Sequence, residues 1–270
     1  MHVYLGIFLI SLTTLTIEIA MTRILSVISW YYLAFFAVST AMLGMTAGAV
    51  TVYLRPDWFK AERLDINISK ICLACSLAIP ISLILLCILP FILAVSIMSI
   101  FVMIMVTLAC MLPFYFSGIV ITSALTKYKF SIGKLYASNL LGSACGCLFA
   151  LVGLEMTDAA SLILACAAVS ILAAFSFASN IASFKLHTIA KGYLIGLIFL
   201  VLINSYTSFG IRPFVIKGHV ANPRNYLLEK WNLLSRVVVS KAPHNNPSYW
   251  GASPFAPKDK KAFTCFMNID

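Results

Sequence analysis

The sequence predicts an all-α polytopic membrane bundle of about seven transmembrane helices, with a range of six to eight, and a short β-containing extramembrane tail. Three observations predict it. Of the 270 residues, 61% are hydrophobic and 10% charged, with a mean hydropathy of +0.99; a soluble domain has roughly 45–50% apolar and 25% charged residues. The apolar residues gather into runs near the roughly 20 residues needed to cross a hydrocarbon core about 30 Å thick. After Phe209 the composition turns to proline, asparagine and charge.

The opening stretch "MHVYLGIFLISLTTL" has no basic n-region and no small-residue cleavage site, so it reads as a first spanning helix rather than a removable signal. Apolar runs lie near 3–27, 30–54, 69–89, 91–126, 132–154, 158–179 and 188–209. The fourth is too long for one straight span and too short for two with a loop. Within it Pro113 removes a backbone donor and crowds the preceding turn, while Gly118 loosens the next, which predicts one long kinked helix. Pro90 marks a tight turn before that helix.

The formal net charge of +10 comes from short loops and the last sixty residues, not from an amphipathic soluble surface, and nucleic acid is not expected as a partner. Arg55, Lys60, Arg63 and Lys70 follow the second run, Lys127, Lys129 and Lys134 the fourth, and Lys185 and Lys191 the sixth. The intervening loops carry Arg23 at one end, none near Pro90, and Glu155 and Asp158 later. By the excess of Lys and Arg in cytoplasmic loops, the N-terminus is inside and, with seven spans, the tail outside; the tail's own nine basic residues argue the other way, and one helix more or fewer inverts the conclusion. The expected location is a bacterial inner (plasma) membrane, with the lipid bilayer as partner.

Seven of the eight cysteines fall inside apolar runs and read as buried thiols. The "CLAC" at Cys72–Cys75 has redox or zinc spacing but no second pair and no nearby histidine, so no metal site is expected.

In the tail, "FVI", "SRVVVS" and "AFTCFMNI" read as strands between turns. "NYLLEKWNLL" is compatible with one short amphipathic helix. Sixty residues with two or three strands cannot bury a core of their own. Residues 1–209 therefore read as the bundle, and 210–270 as the incomplete start of a further domain.

Polar groups within the spans are the candidate sites. Glu18 and Arg23 sit at or near membrane depth, where a charge costs at least about 2.5 kcal/mol. Five residues apart, they lie about 140° around a helix, poor geometry for a pair. Either Glu18 binds a cation or proton, or neighbouring helices cap it while Arg23 snorkels to the interface. "LGMTAG" and "LGSACG" each contain a GxxxG, Gly44 with Gly48 and Gly142 with Gly146, which permits close helix approach in lipid. Both begin L-G-x-x-x-G, an echo of the internal repeats of transporter folds. At the entrance of the fifth run, Lys134 and Tyr136 suit an interface anchor. Asn139, one turn deeper, must hydrogen-bond another helix or a ligand. No dinucleotide, Walker, zincin or nucleophile-elbow motif occurs, so the chain shows no catalytic machinery of its own.

Taken in order, "IEIAMTRILS", "AMLGMTAG", "PFYFSGIVIT" and "IGKLYASNLLGSACGCLFALVGLE" resemble the membrane-embedded spermidine synthase-like proteins of the polyamine aminopropyltransferase-like family. The tail motifs "EKWNLLSRVVV", with Trp231, Asn232, Ser235 and Arg236, and "WGASP" add to the resemblance, which spans most of the chain. It implies a multi-pass region ahead of an aminopropyltransferase-like Rossmann domain that binds S-adenosylmethionine or its decarboxylated form. The strands "SRVVVSKA" and "AFTCFMNID" resemble the β-hairpin that opens such domains, with "NID" where they have a Leu-Asp-Gly turn. The stretch "PHNNPSYWGASPFAPKDK" departs from their short turn. No cofactor-binding or catalytic residue carries over, and the chain is expected to be truncated before the Rossmann domain.

Three functions are expected on these grounds. The chain anchors or positions a soluble S-adenosylmethionine-type domain; or the bundle transports or senses a small polyamine-like solute, with Glu18 and Asn139 along its path; or it is a non-catalytic membrane scaffold. A homo-oligomer is compatible with each.

Overall fold

The computed structural model describes residues 2–29, 33–89, 96–179, 184–207, 210–221, 226–232, 235–241 and 265–269. Seven helices, α1 (His2–Ile28), α2 (Ala34–Leu54), α3 (Leu64–Ile88), α4 (Ile97–Lys127), α5 (Ile132–Met156), α6 (Ala159–Phe177) and α7 (Phe184–Tyr206), are each long and apolar enough to cross a membrane. Even α6, with 19 residues, reaches about 28 Å at 1.5 Å per residue. The chain thus has the architecture of an integral membrane protein in a lipid environment. The fourth run forms one helix that continues through Pro113. Pro90 lies outside the described residues.

Local chemistry sets several helix ends. Ser96 caps α4, its hydroxyl accepting from Ser99 N at 3.1 Å. Between α2 and α3 the chain makes two 3-10 turns, Pro56–Phe59 and Ala61–Arg63, the first opened by proline, whose missing N–H costs nothing there. Phe59 is buried beneath this connection, and Asn67 Nδ2 donates to the Trp58 carbonyl.

Inside the bundle α1 packs against α5 and α6, α2 against α4, and α3 against α4 and α6. Helices α1 and α5 run parallel: Ser11 Oγ donates to Asn139 Oδ1 at 2.7 Å, and further along Thr16 Oγ1 donates to Gly146 O at 3.0 Å. Helices α3 and α6 run antiparallel, with Ser69 Oγ donating to Ala174 O at 2.9 Å and Ser76 Oγ to Ala167 O at 2.7 Å. Each hydroxyl places its hydrogen bond on a neighbouring helix, since hydrocarbon offers no acceptor.

Close approach occurs at two glycine pairs. A Cβ on Gly146 would stand 2.7 Å from Leu12 O, and one on Gly142 would fall closer still to Phe8 O. On the other side of the bundle, a Cβ on Gly44 would stand 2.5 Å from Met111 O, and one on Gly48 would meet the backbone of Tyr115 and Ile119. The α5 pair therefore receives α1, and the α2 pair receives α4.

Helix α7 stands at the rim. It packs on α6 through Ala190, Leu197 and Asn204, a buried stripe at seven-residue spacing. Pro80 inside α3 leaves the Ser76 carbonyl without its helical donor, and the Tyr193 hydroxyl of α7 donates to it at 3.1 Å.

The tail opens with a hairpin, β1 (Val215–Ile216) and β2 (His219–Val220), turned by Lys217 (φ 49°) and Gly218 (φ 83°). Two successive positive φ values suit a two-residue primed turn, where glycine costs no steric strain. Strands β3 (Tyr226–Trp231), β4 (Arg236–Lys241) and β5 (Cys265–Ile269) form an antiparallel sheet in the order β3-β4-β5. This corrects the helix expected in "NYLLEKWNLL", whose first part is β3. The reason lies in Glu229 and Trp231, which must face the same way, as alternate residues of a strand do. In a helix they would diverge by about 200°.

The glycine seams carry a prediction. Gly146→Val is expected to destabilise the protein by about 1–3 kcal/mol through forced separation of α1 and α5. By contrast, Gly192→Ala on α7, where nothing lies within 4 Å of the added carbon, is expected to be neutral or to gain up to about 1 kcal/mol from helix propensity. Thermal unfolding of both variants in detergent measures the contrast.

Candidate functional site

The densest polar constellation described joins the tail to one end of the bundle. It begins at Asp158, the N-cap of α6. Its Oδ1 accepts from Ser161 N at 2.9 Å and its Oδ2 from Ser161 Oγ at 2.7 Å. A carboxylate suits a helix N-terminus, where unpaired amides and the helix dipole favour negative charge. Asp158 is 7% exposed, so it also needs a countercharge.

Arg212 supplies the countercharge from the segment after α7. Its Nη1 lies 3.1 Å from Asp158 Oδ2, and its Nη2 donates to Asn204 O at 3.3 Å and Thr207 O at 3.5 Å. The planar fork therefore pairs with the N-terminus of α6 while capping the C-terminal carbonyls of α7, the end where the dipole favours a cation. Asn204 completes the crossing. Its amide donates to Ser161 Oγ at 2.7 Å and Asp158 Oδ1 at 3.3 Å, and its Oδ1 accepts from Ile211 N. Gly210 fits beside this amide only because it lacks a side chain; a Cβ there would collide with Asn204.

Two more helix ends are closed by tail backbone. Lys217 N donates to Ile28 O, the last residue of α1, at 2.7 Å, and Phe214 N donates to Cys87 O near the end of α3 at 2.9 Å. Segment 211–217 thus satisfies carbonyls that the termini of α1, α3 and α7 leave open.

The sheet attaches through Glu229. Its Oε1 accepts from Arg236 Nε at 2.9 Å and from Trp231 Nε1 at 3.0 Å, while its Oε2 lies 4.0 Å from Arg212 Nε. The Arg236 guanidinium also lies 5.5 Å from the Tyr226 ring centre and 5.7 Å from that of Trp231, within cation–π range of both. Burial pulls the Arg236 pKa down, but the Glu229 carboxylate more than offsets this and holds it above its ordinary value. The result is a charged chain, Asp158–Arg212–Glu229–Arg236, running from membrane helix to tail sheet.

The expected site residues divide around this joint. Trp231 and Arg236 belong to it. Asn232 and Ser235 turn β3 into β4, with Asn232 Oδ1 accepting from Ser235 N at 2.6 Å. Asn139 is engaged by Ser11 at the α1/α5 seam. Glu18 is half-buried with no hydrogen bond or ion pair to a described residue. It lies two turns, about 10 Å, beyond Ser11 on the same face of α1, so Glu18 and Asn139 share a flank but not a level. Arg23 is half-buried near the tail end of α1, and Lys134 and Tyr136 are exposed at the opposite end of α5. Among the described residues no group of three or more His, Cys, Asp or Glu is placed to hold a metal ion.

Sequence reasoning missed Asn204, Arg212 and Glu229. Two signals were present: Asp158 stands three residues ahead of Ser161 at the head of a run, an N-cap pattern, and Asn204 interrupts an otherwise apolar stretch.

Arg212→Met is expected to cost about 3–5 kcal/mol, because it leaves Asp158 buried without its cation. The double variant Asp158→Asn/Arg212→Met is expected to lose less than the sum of the two single changes. Denaturant unfolding in detergent, with limited proteolysis after Val220 as a local readout, checks both.

No family model, curated protein or solved structure matches this chain.

Proposed function

We propose that this chain is the membrane region of a spermidine synthase-like protein, which anchors and orients a soluble S-adenosylmethionine-type domain at the bacterial inner membrane. The observation that carries this reading is the joint. A tail meant only to trail from a bundle has no need of a half-buried arginine that pairs with one helix start and caps another helix end. Nor does it need backbone amides seated on the ends of α1 and α3. Such a junction fixes the direction in which the first strands leave the membrane, which is what positioning a domain requires.

The side of the membrane bears on the cofactor. Loop charges place the tail outside, away from a cytoplasmic supply of S-adenosylmethionine. The tail's nine basic residues favour the other side, and a reporter fused after Asp270 decides: a cytoplasmic reading is what the S-adenosylmethionine-type domain requires, and an outer reading overturns that cofactor. The anchor reading is tested by the coding sequence past Asp270, where a strand, a glycine-rich turn and a helix are expected. A stop directly after Asp270, with no S-adenosylmethionine-binding protein co-purifying with the chain, overturns it.

Glu18 favours a second reading. A carboxylate half-buried midway along a spanning helix, without a described partner, suits a cation, a proton or a polyamine-like solute. In proteoliposomes Glu18→Gln is expected to abolish spermidine uptake. If the unaltered protein takes up none, or the variant takes up as much, this reading fails.

A further inference from the structure

The two ends of the bundle use their cations differently. At the tail end, Arg212 and Arg236 are held in ion pairs, with side chains 15% and 3% exposed. At the opposite end seven of the described basic side chains are exposed. We propose that this opposite face binds the headgroups of anionic phospholipids.

The surface is assembled from two connections. From the α2–α3 connection and the first turns of α3 come Arg55, Lys60, Arg63 and Lys70, all exposed; from the α4–α5 turn come Lys127, Lys129 and Lys134, also exposed. The acidic residues among them are Asp57, Glu62 and Asp65. Asp57 pairs with Lys60 at 2.7 Å, and Asp65 accepts from the Tyr128 hydroxyl. That leaves a pronounced excess of positive charge.

The two connections form one surface rather than two scattered groups. Tyr128 reaches from the α4–α5 turn to Asp65 on α3, and Phe130 stacks on Tyr128 with ring centres 5.7 Å apart. Phe130 also meets Tyr4 of α1 at 5.8 Å. Beside this contact lies an open groove of about 510 Å³, whose polar walls are Glu62, Arg63, Asp65, Asn67 and Lys70.

Aromatic side chains give the surface its depth. Trp58 is 50% exposed and carries the Arg55 guanidinium 5.7 Å from its ring centre. The ring is held outward because Phe59 is buried beneath it and Asn67 grips the Trp58 carbonyl. Phe130 and Tyr136 are exposed beside the lysines. Tryptophan and tyrosine favour the headgroup level, so the neighbouring cations meet lipid phosphates rather than bulk water. At the tail end, tail backbone closes the ends of α1 and α3.

The experiment compares lipids retained by the full chain after reconstitution with equal phosphatidylcholine and phosphatidylglycerol. Native mass spectrometry counts the lipids of each kind that stay bound on release. Preferential retention of phosphatidylglycerol is expected, and Arg63→Gln/Lys70→Gln/Lys129→Gln is expected to lower it roughly tenfold or more, given about fivefold per cation near the surface. Lys230→Gln, on the tail sheet, is expected to leave it unchanged. Equal retention of the two lipids by the unaltered protein, or undiminished preference in the triple variant, overturns the proposal. If the triple variant fails to fold, the unaltered protein still decides. At about 1 M salt, where the screening length is about 3 Å, its preference must vanish, and a preference that survives refutes the electrostatic origin.

Discussion

A backbone carbonyl that no helical amide reaches has no water to turn to in hydrocarbon, and leaving it bare costs several kcal/mol. Much of this molecule is arranged around such carbonyls. Pro80 creates one at Ser76, and Tyr193 of α7 answers it. The ends of α1, α3 and α7 create more, and the segment after α7 answers those with Phe214 N, Lys217 N and the Arg212 guanidinium. The tail is therefore part of the bundle's hydrogen-bond closure, although its sequence is polar and looks detachable.

The second organising effect is contact without side chains. Apolar surface has no reason to leave lipid for another helix, so association depends on how closely backbones approach. Gly142 and Gly146 admit α1, Gly44 and Gly48 admit α4, and hydroxyls of Ser11 and Thr16 reinforce the first seam. Asn139 finds its partner there. Glu18, on the same face of α1, has none among the described residues.

How far the sequence foretold this differs by element. The seven spans were legible because each is an apolar run near the length a membrane requires, and β4 was legible because "VVV" is β-branched. Strand β3 was not. "YLLEKW" mixes leucine with charge and fits a short helix until Glu229 and Trp231 are required on one face. The GxxxG motifs announced close packing but not partners, since α5 takes the first helix and α2 the fourth. The joint was illegible for a different reason. Asp158, Asn204, Arg212 and Glu229 lie on four separate segments, each unremarkable in its own stretch, and only folding gives Arg212 a half-buried place between two helix termini of opposite polarity.

Helix α7 is held mechanically at few places. Its packing stripe on α6 is narrow, and its outward glycines touch nothing within 4 Å. Its polar fastenings include Tyr193 on the carbonyl that Pro80 exposes, and the Asn204–Arg212 crossing at its far end. A rod pinned at two separated points can neither roll about its axis nor slide along its neighbour without breaking a pin. Helix α7 is thus a strut whose fixings join the tail at Arg212 to α3 at its proline.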